Sequence, residues 1–141
     1  LSEVVLTAEL GPSWGRPPAL VETCKRVLPK LKANLARNVQ AGIKIACGTD
    51  GGFLLTEMLL LNEAGYSTMQ TIEAATRCGA EVLCKQDVLG TIEPGKFADM
   101  VVTTRNPLDD LNNLRQIETV YKGGKAYDPE VLKAAAGRWP F

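Results

Sequence analysis

The apolar pattern of this chain changes its period once, near Val88, and this change limits the folds that the chain can form. Before Val88, apolar residues recur mostly at spacings of three and four, which is the period of an amphipathic helix. After it, short apolar segments alternate with turn residues, which is typical of antiparallel strands. The sequence therefore predicts an α/β fold, with a βαβαα segment over residues 1–86, a small antiparallel β unit and a terminal helix.

The first segment contains two short apolar runs and three helical patterns. We expect buried strands over residues 3–8 and 43–47. A long helix begins near Ala19 and ends at Gly42, and Pro29 should kink it or divide it in two. A second helix runs from Leu54 to Gly65, and a third from Thr68 to Cys84, where Ser67 and Gln70 form a capping box.

The β unit is predicted from its turns. Pro94 and Gly95 occupy the central positions of a type II turn between strands at residues 90–92 and 97–103. Gly123 and Gly124 make a two-residue hairpin between strands at 116–121 and 125–127. Asp128 then caps a helix that continues through Ala136.

The composition excludes several kinds of chemistry. The chain has 141 residues, 16 Lys and Arg against 16 Asp and Glu, and no His. It therefore cannot build a His-ligated zinc site or a Ser-His couple by itself. The balanced charge predicts no nucleic-acid partner, and no apolar run is long enough to cross a membrane. Four Cys without a CxxC pair indicate reduced, mostly buried thiols and a cytoplasmic protein.

Asp50 is the residue whose position most favours chemistry. It follows the predicted strand at 43–47, in a turn with Gly51 and Gly52, and reactive groups collect at the carboxyl ends of strands in α/β folds. The alternative is that Thr49 or Asp50 only caps the next helix. Glu57 could face the same pocket, or it could be an ordinary carboxylate in the first turn of that helix.

Six segments, taken in order, resemble one known family. These segments are 41–52 (AGIKIACGTDGG), 63–67 (EAGYS), 71–76 (TIEAAT), 89–102 (LGTIEPGKFADMVV), 106–108 (NPL) and 120–125 (VYKGGK). Their order and spacing resemble the carboxyl-terminal part of the metal-dependent amidohydrolase superfamily. The nearest branch contains the imidazolonepropionase-like and Xaa-Pro dipeptidase-like enzymes.

The resemblance implies a fold and a set of site residues. Residues 1–87 would supply the last two βα units of a TIM barrel and an extra helix, residues 88–128 strands of a composite β-sandwich, and residues 129–141 a terminal helix and tail. Asp50 would be the strand-eight carboxylate that contacts a metal and takes a proton from the hydrolytic water. Candidates for substrate contact are Gly51, Gly52 and Glu57.

The same resemblance implies that the chain is part of a larger catalytic unit. The family's His ligands lie upstream of the matching region, and the chain can supply at most about a quarter of the eight βα units. We therefore expect the chain to begin within the fold and to be part of a hydrolase of C–N bonds that is inactive alone. A divalent metal, zinc, is expected in the complete enzyme, and no tight metal binding by this chain alone.

The expected partners follow from this incompleteness. They are the missing amino-terminal barrel portion or a partner chain, together with a small-molecule or dipeptide-like substrate, and a homo-oligomer is left open. Residues 20–61 should expose an apolar patch unless another chain covers it. The alternative function is a non-catalytic scaffold or interaction module that is derived from the same fold.

Overall fold

The computed structural model describes residues 1–49 and 53–136, and within these ranges it contains helices followed by a small sheet. The helices are α1 (Ser2–Leu10), α2 (Pro18–Gln40), α3 (Leu54–Glu63), α4 (Thr68–Ala75), α5 (Arg77–Val82) and α6 (Pro129–Ala136). The strands are β1 (Met100–Thr103), β2 (Ile117–Lys122) and β3 (Lys125–Tyr127), and a 3-10 helix, Leu111–Arg115, lies between β1 and β2.

The strand predicted over residues 3–8 is wrong, because this segment lies within α1. The Val5 N–H donates to the Leu1 carbonyl at 3.1 Å, and the Gly11 N–H donates to the Thr7 carbonyl at 3.1 Å. A strand needs a neighbouring strand to pair its backbone groups, whereas a helix pairs them within itself. Since the described part of the chain brings no strand beside this segment, the helix is the conformation that satisfies its backbone.

The strand predicted over residues 43–47 is also wrong, because the segment has no strand partner among the described residues. Single contacts with the helical region hold it instead. The Cys47 N–H donates to the Ala74 carbonyl at 3.0 Å, and the Tyr66 hydroxyl donates to the Ile43 carbonyl at 2.9 Å. The segment therefore runs along α4.

Two helices end in the same Schellman motif, as their glycines predict. After α2, the Ile43 N–H donates to the Asn38 carbonyl at 3.1 Å, and Gly42 has φ +70°. After α3, the Tyr66 N–H donates to the Leu61 carbonyl at 3.1 Å, and Gly65 has φ +115°. Of the two outcomes expected at Pro29, division of the helix is wrong, since α2 is continuous over 23 residues and a single proline removes only one of its hydrogen bonds. A kink at Pro29 stays a prediction.

The helix predicted from Thr68 to Cys84 is two helices. Its start is confirmed, because the Ser67 hydroxyl and the Gln70 side chain form the reciprocal capping box. It is divided at Thr76, which has φ −124° and ψ −85°, and whose hydroxyl donates to the Ile72 carbonyl at 2.8 Å. Gly90 packs against the start of α5, so that a Cβ added there would lie 2.7 Å from the Ala80 Cβ.

The β unit is a three-stranded antiparallel sheet in the order β1-β2-β3, in which Met100 pairs with Tyr121 and Val120 with Tyr127. The hairpin is confirmed, because Gly123 and Gly124 have φ +57° and +79°.

The structure confirms some of the other predictions for this region and contradicts others. The type II turn is confirmed by φ +91° at Gly95. The terminal helix is confirmed as well, since the Asp128 side chain accepts from the Glu130 N–H and caps α6. The strand predicted at 90–92 is wrong, because this segment is an irregular turn region, and the strand predicted at 97–103 is shortened to β1.

The core lies among the first five helices. Its buried apolar side chains are Val5, Ala8, Val21, Cys24, Met58, Leu60, Leu61, Ala74, Cys78, Ala80 and Leu111. Large apolar side chains are exposed at Leu20, Ile43 and Leu54, within the region expected to show an apolar surface. None of the helices in the described ranges is long and apolar enough to cross a membrane.

Candidate functional site

Asp50, Gly51 and Gly52 lie outside the described residues, so their roles remain predictions from the sequence. The structure describes both flanks of this turn, Thr49 before it and Phe53 after it. Phe53 is the residue that precedes the first turn of α3. The described residues closest to Asp50 in the chain include Cys47, Phe53 and Glu57.

Glu57 lies in the first turn of α3 and reaches the amino-terminal end of α1. Its Oε2 accepts a hydrogen bond from the Ser2 N–H at 2.8 Å and lies 3.3 Å from the Leu1 nitrogen. The side chain is only 15% exposed, so this carboxylate is well sheltered from water. A carboxylate at this position satisfies an unpaired N–H and interacts favourably with the helix dipole. Glu57 thus joins α1 to α3, and its predicted contact with substrate stays a prediction.

Removing the Glu57 carboxylate should destabilise the chain. In Glu57→Ala the Ser2 N–H loses its charged acceptor in a sheltered position, and we expect a loss of about 1 to 3 kcal/mol in the free energy of unfolding, measured by urea denaturation. Glu22→Ala is the matched control, because Glu22 pairs only with exposed Lys25, and it should change stability by less than about 0.5 kcal/mol. Equal effects of the two substitutions would contradict the joining role.

Cys47 lies three positions before Asp50, and its thiol is held in the neutral form. Burial, together with the nearby Glu57 carboxylate and Cys78, raises the pKa of the Cys47 thiol to about 11. A neutral thiol is a poor nucleophile and a poor metal ligand at neutral pH. All four cysteines are free, with Cys24 and Cys78 buried as predicted and Cys84 exposed. We infer that Cys47 has a packing role at neutral pH.

Asp99, which directly precedes β1, binds a backbone group that is distant in the chain. Its Oδ1 accepts from the Gly123 N–H at 2.7 Å, and its Oδ2 pairs with Lys122. The Lys122 ammonium and then the Gly123 amide lower the pKa of this carboxyl. Asp99 therefore fastens the start of β1 to the β2–β3 hairpin and has a structural role.

An aromatic pair includes Phe53, the first described residue after Asp50 in the chain, and the sequence alone did not reveal it. The Trp14 and Phe53 rings stack with centroids 6.0 Å apart and planes inclined by 15°. Both side chains are half-buried. The two residues are 39 positions apart in the chain, so no local pattern joins them, although Phe53 follows the turn directly.

The side chains in the described part of the chain do not make up a metal site. Across residues 1–49 and 53–136, no group of three or more His, Cys, Asp or Glu side chains could hold an ion. Cys47 is neutral, and Glu57 is occupied by α1. Beyond these ranges the sequence offers Asp50 as a carboxylate ligand, which is too few for a protein zinc site.

Comparison with known proteins gives one consistent result. The chain is 30% identical over 111 residues to a 5-methylthioadenosine/S-adenosylhomocysteine deaminase of Desulforudis audaxviator, a match that covers 67% of this chain and 26% of that protein. Its fold matches a crystal structure of a Xaa-Pro dipeptidase with methionine bound in the active site, with a TM-score of 0.78 and 28% identity, over 90% of this chain and 33% of that one. A second amidohydrolase crystal structure matches with a TM-score of 0.78 and 31% identity, over 89% of this chain and 32% of that one.

The chain thus spans between about a quarter and a third of the length of these relatives. The α/β arrangement of helices and strands agrees with structures from TIM-barrel amidohydrolases. The sequence model of the amidohydrolase family matches residues 9–127, a range that includes the Asp50 turn and the β2–β3 hairpin. With both the sequence and the fold in agreement, the chain belongs to the amidohydrolase family.

Proposed function

We propose that this chain is the carboxyl-terminal part of a metal-dependent amidohydrolase that hydrolyses C–N bonds, and that it is inactive alone. The observation that carries the proposal is the family match over residues 9–127, combined with a chain that spans only 33% of a structural relative. Residues 1–87 would belong to the barrel, 88–128 to the composite sandwich and 129–141 to the terminal helix and tail. The four free cysteines favour the reducing cytoplasm as its location.

In this proposal Asp50 is the catalytic carboxylate. It would take up a proton as water attacks the carbon of the C–N bond, which is the work of a general base. Members of this family generally bind a divalent metal. Because this chain has no His, the other ligands of that metal, which we propose to be zinc, would come from the amino-terminal barrel portion or a partner chain.

The relatives suggest two kinds of substrate. One is named a 5-methylthioadenosine/S-adenosylhomocysteine deaminase, and another a Xaa-Pro dipeptidase. Both reactions break a C–N bond with water, so the same carboxylate could serve either. Gly51, Gly52 and Glu57 remain our candidates for substrate contact.

The 141-residue chain alone should neither hold zinc nor catalyse hydrolysis. After incubation with zinc and dialysis, we expect a metal content well below one ion per chain, because too few ligands are present. We also expect no hydrolysis of 5-methylthioadenosine, measured as ammonia release, and none of a Met-Pro dipeptide, measured as release of free proline. Stoichiometric zinc together with hydrolysis by the isolated chain would overturn the proposal.

A further inference from the structure

We propose that the exposed side of α2 and the groove between α2 and α3 form a docking surface for an acidic amphipathic helix of a partner protein. The docking surface consists of a line of three bases, Arg26, Lys30 and Arg37, and of the groove that borders this line. The inference does not rest on hydrolysis, because none of these residues belongs to the proposed active site. It can therefore be tested on the 141-residue chain.

Positive charge is concentrated on α2. This helix contains five basic residues against one acidic residue, a formal charge of +4, although the whole chain has 16 of each kind. The basic residues of the helix are Lys25, Arg26, Lys30, Lys32 and Arg37. A local excess of one sign of charge on a neutral chain attracts partners of the opposite sign.

Three of these bases form one line along the helix. Arg26, Lys30 and Arg37 follow one another at spacings of four and seven residues, which places them on one side of α2. All three are exposed, and none makes an ion pair with another residue that the structure describes. Arg37 contacts the neutral side-chain amide of Asn34. The line is therefore available to an external acid.

The remaining two bases of α2 are already neutralised. Lys25 pairs with Glu22 at 3.1 Å, and Lys32 pairs with Glu63 of α3 at 3.1 Å. Within the line, by contrast, Arg26 and Lys30 are like charges four residues apart, a spacing at which they repel and weaken a helix. A feature that disfavours the local fold is expected at a functional surface. An acidic partner would remove the repulsion.

An apolar groove borders the line of bases. It has a volume of about 270 Å³, and its apolar walls are Ala33, Leu35, Ala36, Leu60 and Ala64. Ala33 lies between Lys30 and Arg37 at spacings of three and four residues, so the groove and the line share an edge. A space of this size is below the roughly 300 to 1,000 Å³ of small-molecule pockets, and it suits a few side chains of a larger partner.

The combination favours a helix over other anionic partners. An amphipathic helix can insert apolar side chains into the groove and place carboxylates against the bases on its flank. A nucleic-acid backbone has no apolar side chains, and α2 contains no aromatic residue on which a base could stack. Among the side chains of α2, all of which lie in the described ranges, Leu20 is the one large apolar residue that is exposed, which is too little to enter a membrane.

The test measures binding of a fluorescein-labelled synthetic helix to the 141-residue chain by fluorescence anisotropy. The probe has about 16 residues, enough to span the line of bases, with leucines on one face and glutamates on the adjacent flank. A scrambled peptide of the same composition is its control. We expect saturable binding of the helix that weakens with added salt, and about tenfold weaker binding of the scrambled peptide.

Three results would overturn the proposal. They are no saturable binding of the helical peptide, equal binding of the scrambled peptide, and tighter binding of duplex DNA or of phosphatidylserine vesicles than of the helical peptide. The second would mean that charge alone attracts the probe, and the third that the surface serves another class of partner.

Substitutions of the bases identify the line. One variant neutralises it with Arg26→Gln, Lys30→Gln and Arg37→Gln, and it should weaken binding about tenfold or more. The matched control removes the same charge from exposed bases outside α2 with Lys85→Gln, Arg105→Gln and Arg115→Gln, and it should stay within about twofold. Equal losses in the two variants would refute the line as the binding surface.

A substitution in the groove tests its part without changing charge. Ala36→Leu keeps a residue that favours the helix but fills the groove, so it should weaken binding of the helical peptide about tenfold. Circular dichroism checks the fold of each variant. Unchanged binding in a folded Ala36→Leu chain would show that the partner does not enter the groove.

Discussion

Replacing Asp50 by Asn is expected to lower kcat for C–N hydrolysis by about a hundredfold or more in a complemented protein. By complemented protein we mean the 141-residue chain combined with a separately expressed amino-terminal barrel portion from a family relative. Asn has nearly the shape of Asp but cannot take up a proton at neutral pH, so the loss should fall on kcat. The measurement is the rate of ammonia release from 5-methylthioadenosine or of proline release from Met-Pro.

The matched control for this substitution is Asp87→Asn. Asp87 is an exposed carboxylate after α5, and its replacement changes charge by the same amount as Asp50→Asn. We expect kcat of the control to stay within about twofold of the unsubstituted protein, because substitutions at exposed positions away from the active site seldom affect the chemical step. If Asp50→Asn kept the same kcat as Asp87→Asn, Asp50 would not be the base.

Replacing Gly90 by Ala is expected to cause a large loss of stability. Gly90 has φ +91°, and an added Cβ would lie 2.7 Å from the Ala80 Cβ and 3.0 Å from the Arg77 Cα. The backbone conformation alone costs about 1 to 2 kcal/mol for a residue with a side chain. Crowding against the first turn of α5 adds about 1 to 3 kcal/mol. Urea denaturation measures the sum.

Gly95 offers an unusually close control for Gly90. It has the same φ of +91°, but a Cβ added there meets nothing within 4 Å. Gly95→Ala should therefore show only the backbone cost, and the difference between the two variants isolates the close contact with α5. Equal losses in the two variants would mean that the turn at Gly90 does not pack on α5.

The features that could be predicted from the sequence are those with local causes. Gly42 and Gly65 end their helices because only a residue that tolerates positive φ completes a Schellman motif. Gly123 and Gly124 form their hairpin for the same conformational reason. The capping box at Ser67 depends on two residues within one turn.

The predictions that were wrong concern features that depend on partners distant in the chain. An apolar run at 3–8 or 43–47 is compatible with a strand, but a strand forms only beside another strand, and the described residues supply none there. The break at Thr76 coincides with the approach of Gly90 to the start of α5, which no helical period reveals.

In the candidate site, too, residues with local sequence cues could be predicted, and contacts between distant residues could not. Asp50 was found from its position after an apolar run, and it lies outside the described residues. The stack of Trp14 on Phe53 joins residues that are 39 positions apart, and the contact of Glu57 with Ser2 joins residues that are 55 apart. Such contacts become visible only when the helices are placed together.

The central claim is that this chain supplies the carboxyl-terminal part of an amidohydrolase active site, and it is tested most directly by C–N hydrolysis with and without the amino-terminal barrel portion. We predict no hydrolysis by either part alone, hydrolysis by the complemented protein in the presence of zinc, and its loss in Asp50→Asn. Hydrolysis by the isolated chain would contradict the claim. So would a stable one-to-one complex of the two parts that binds zinc and remains inactive, which is the result expected of a non-catalytic scaffold.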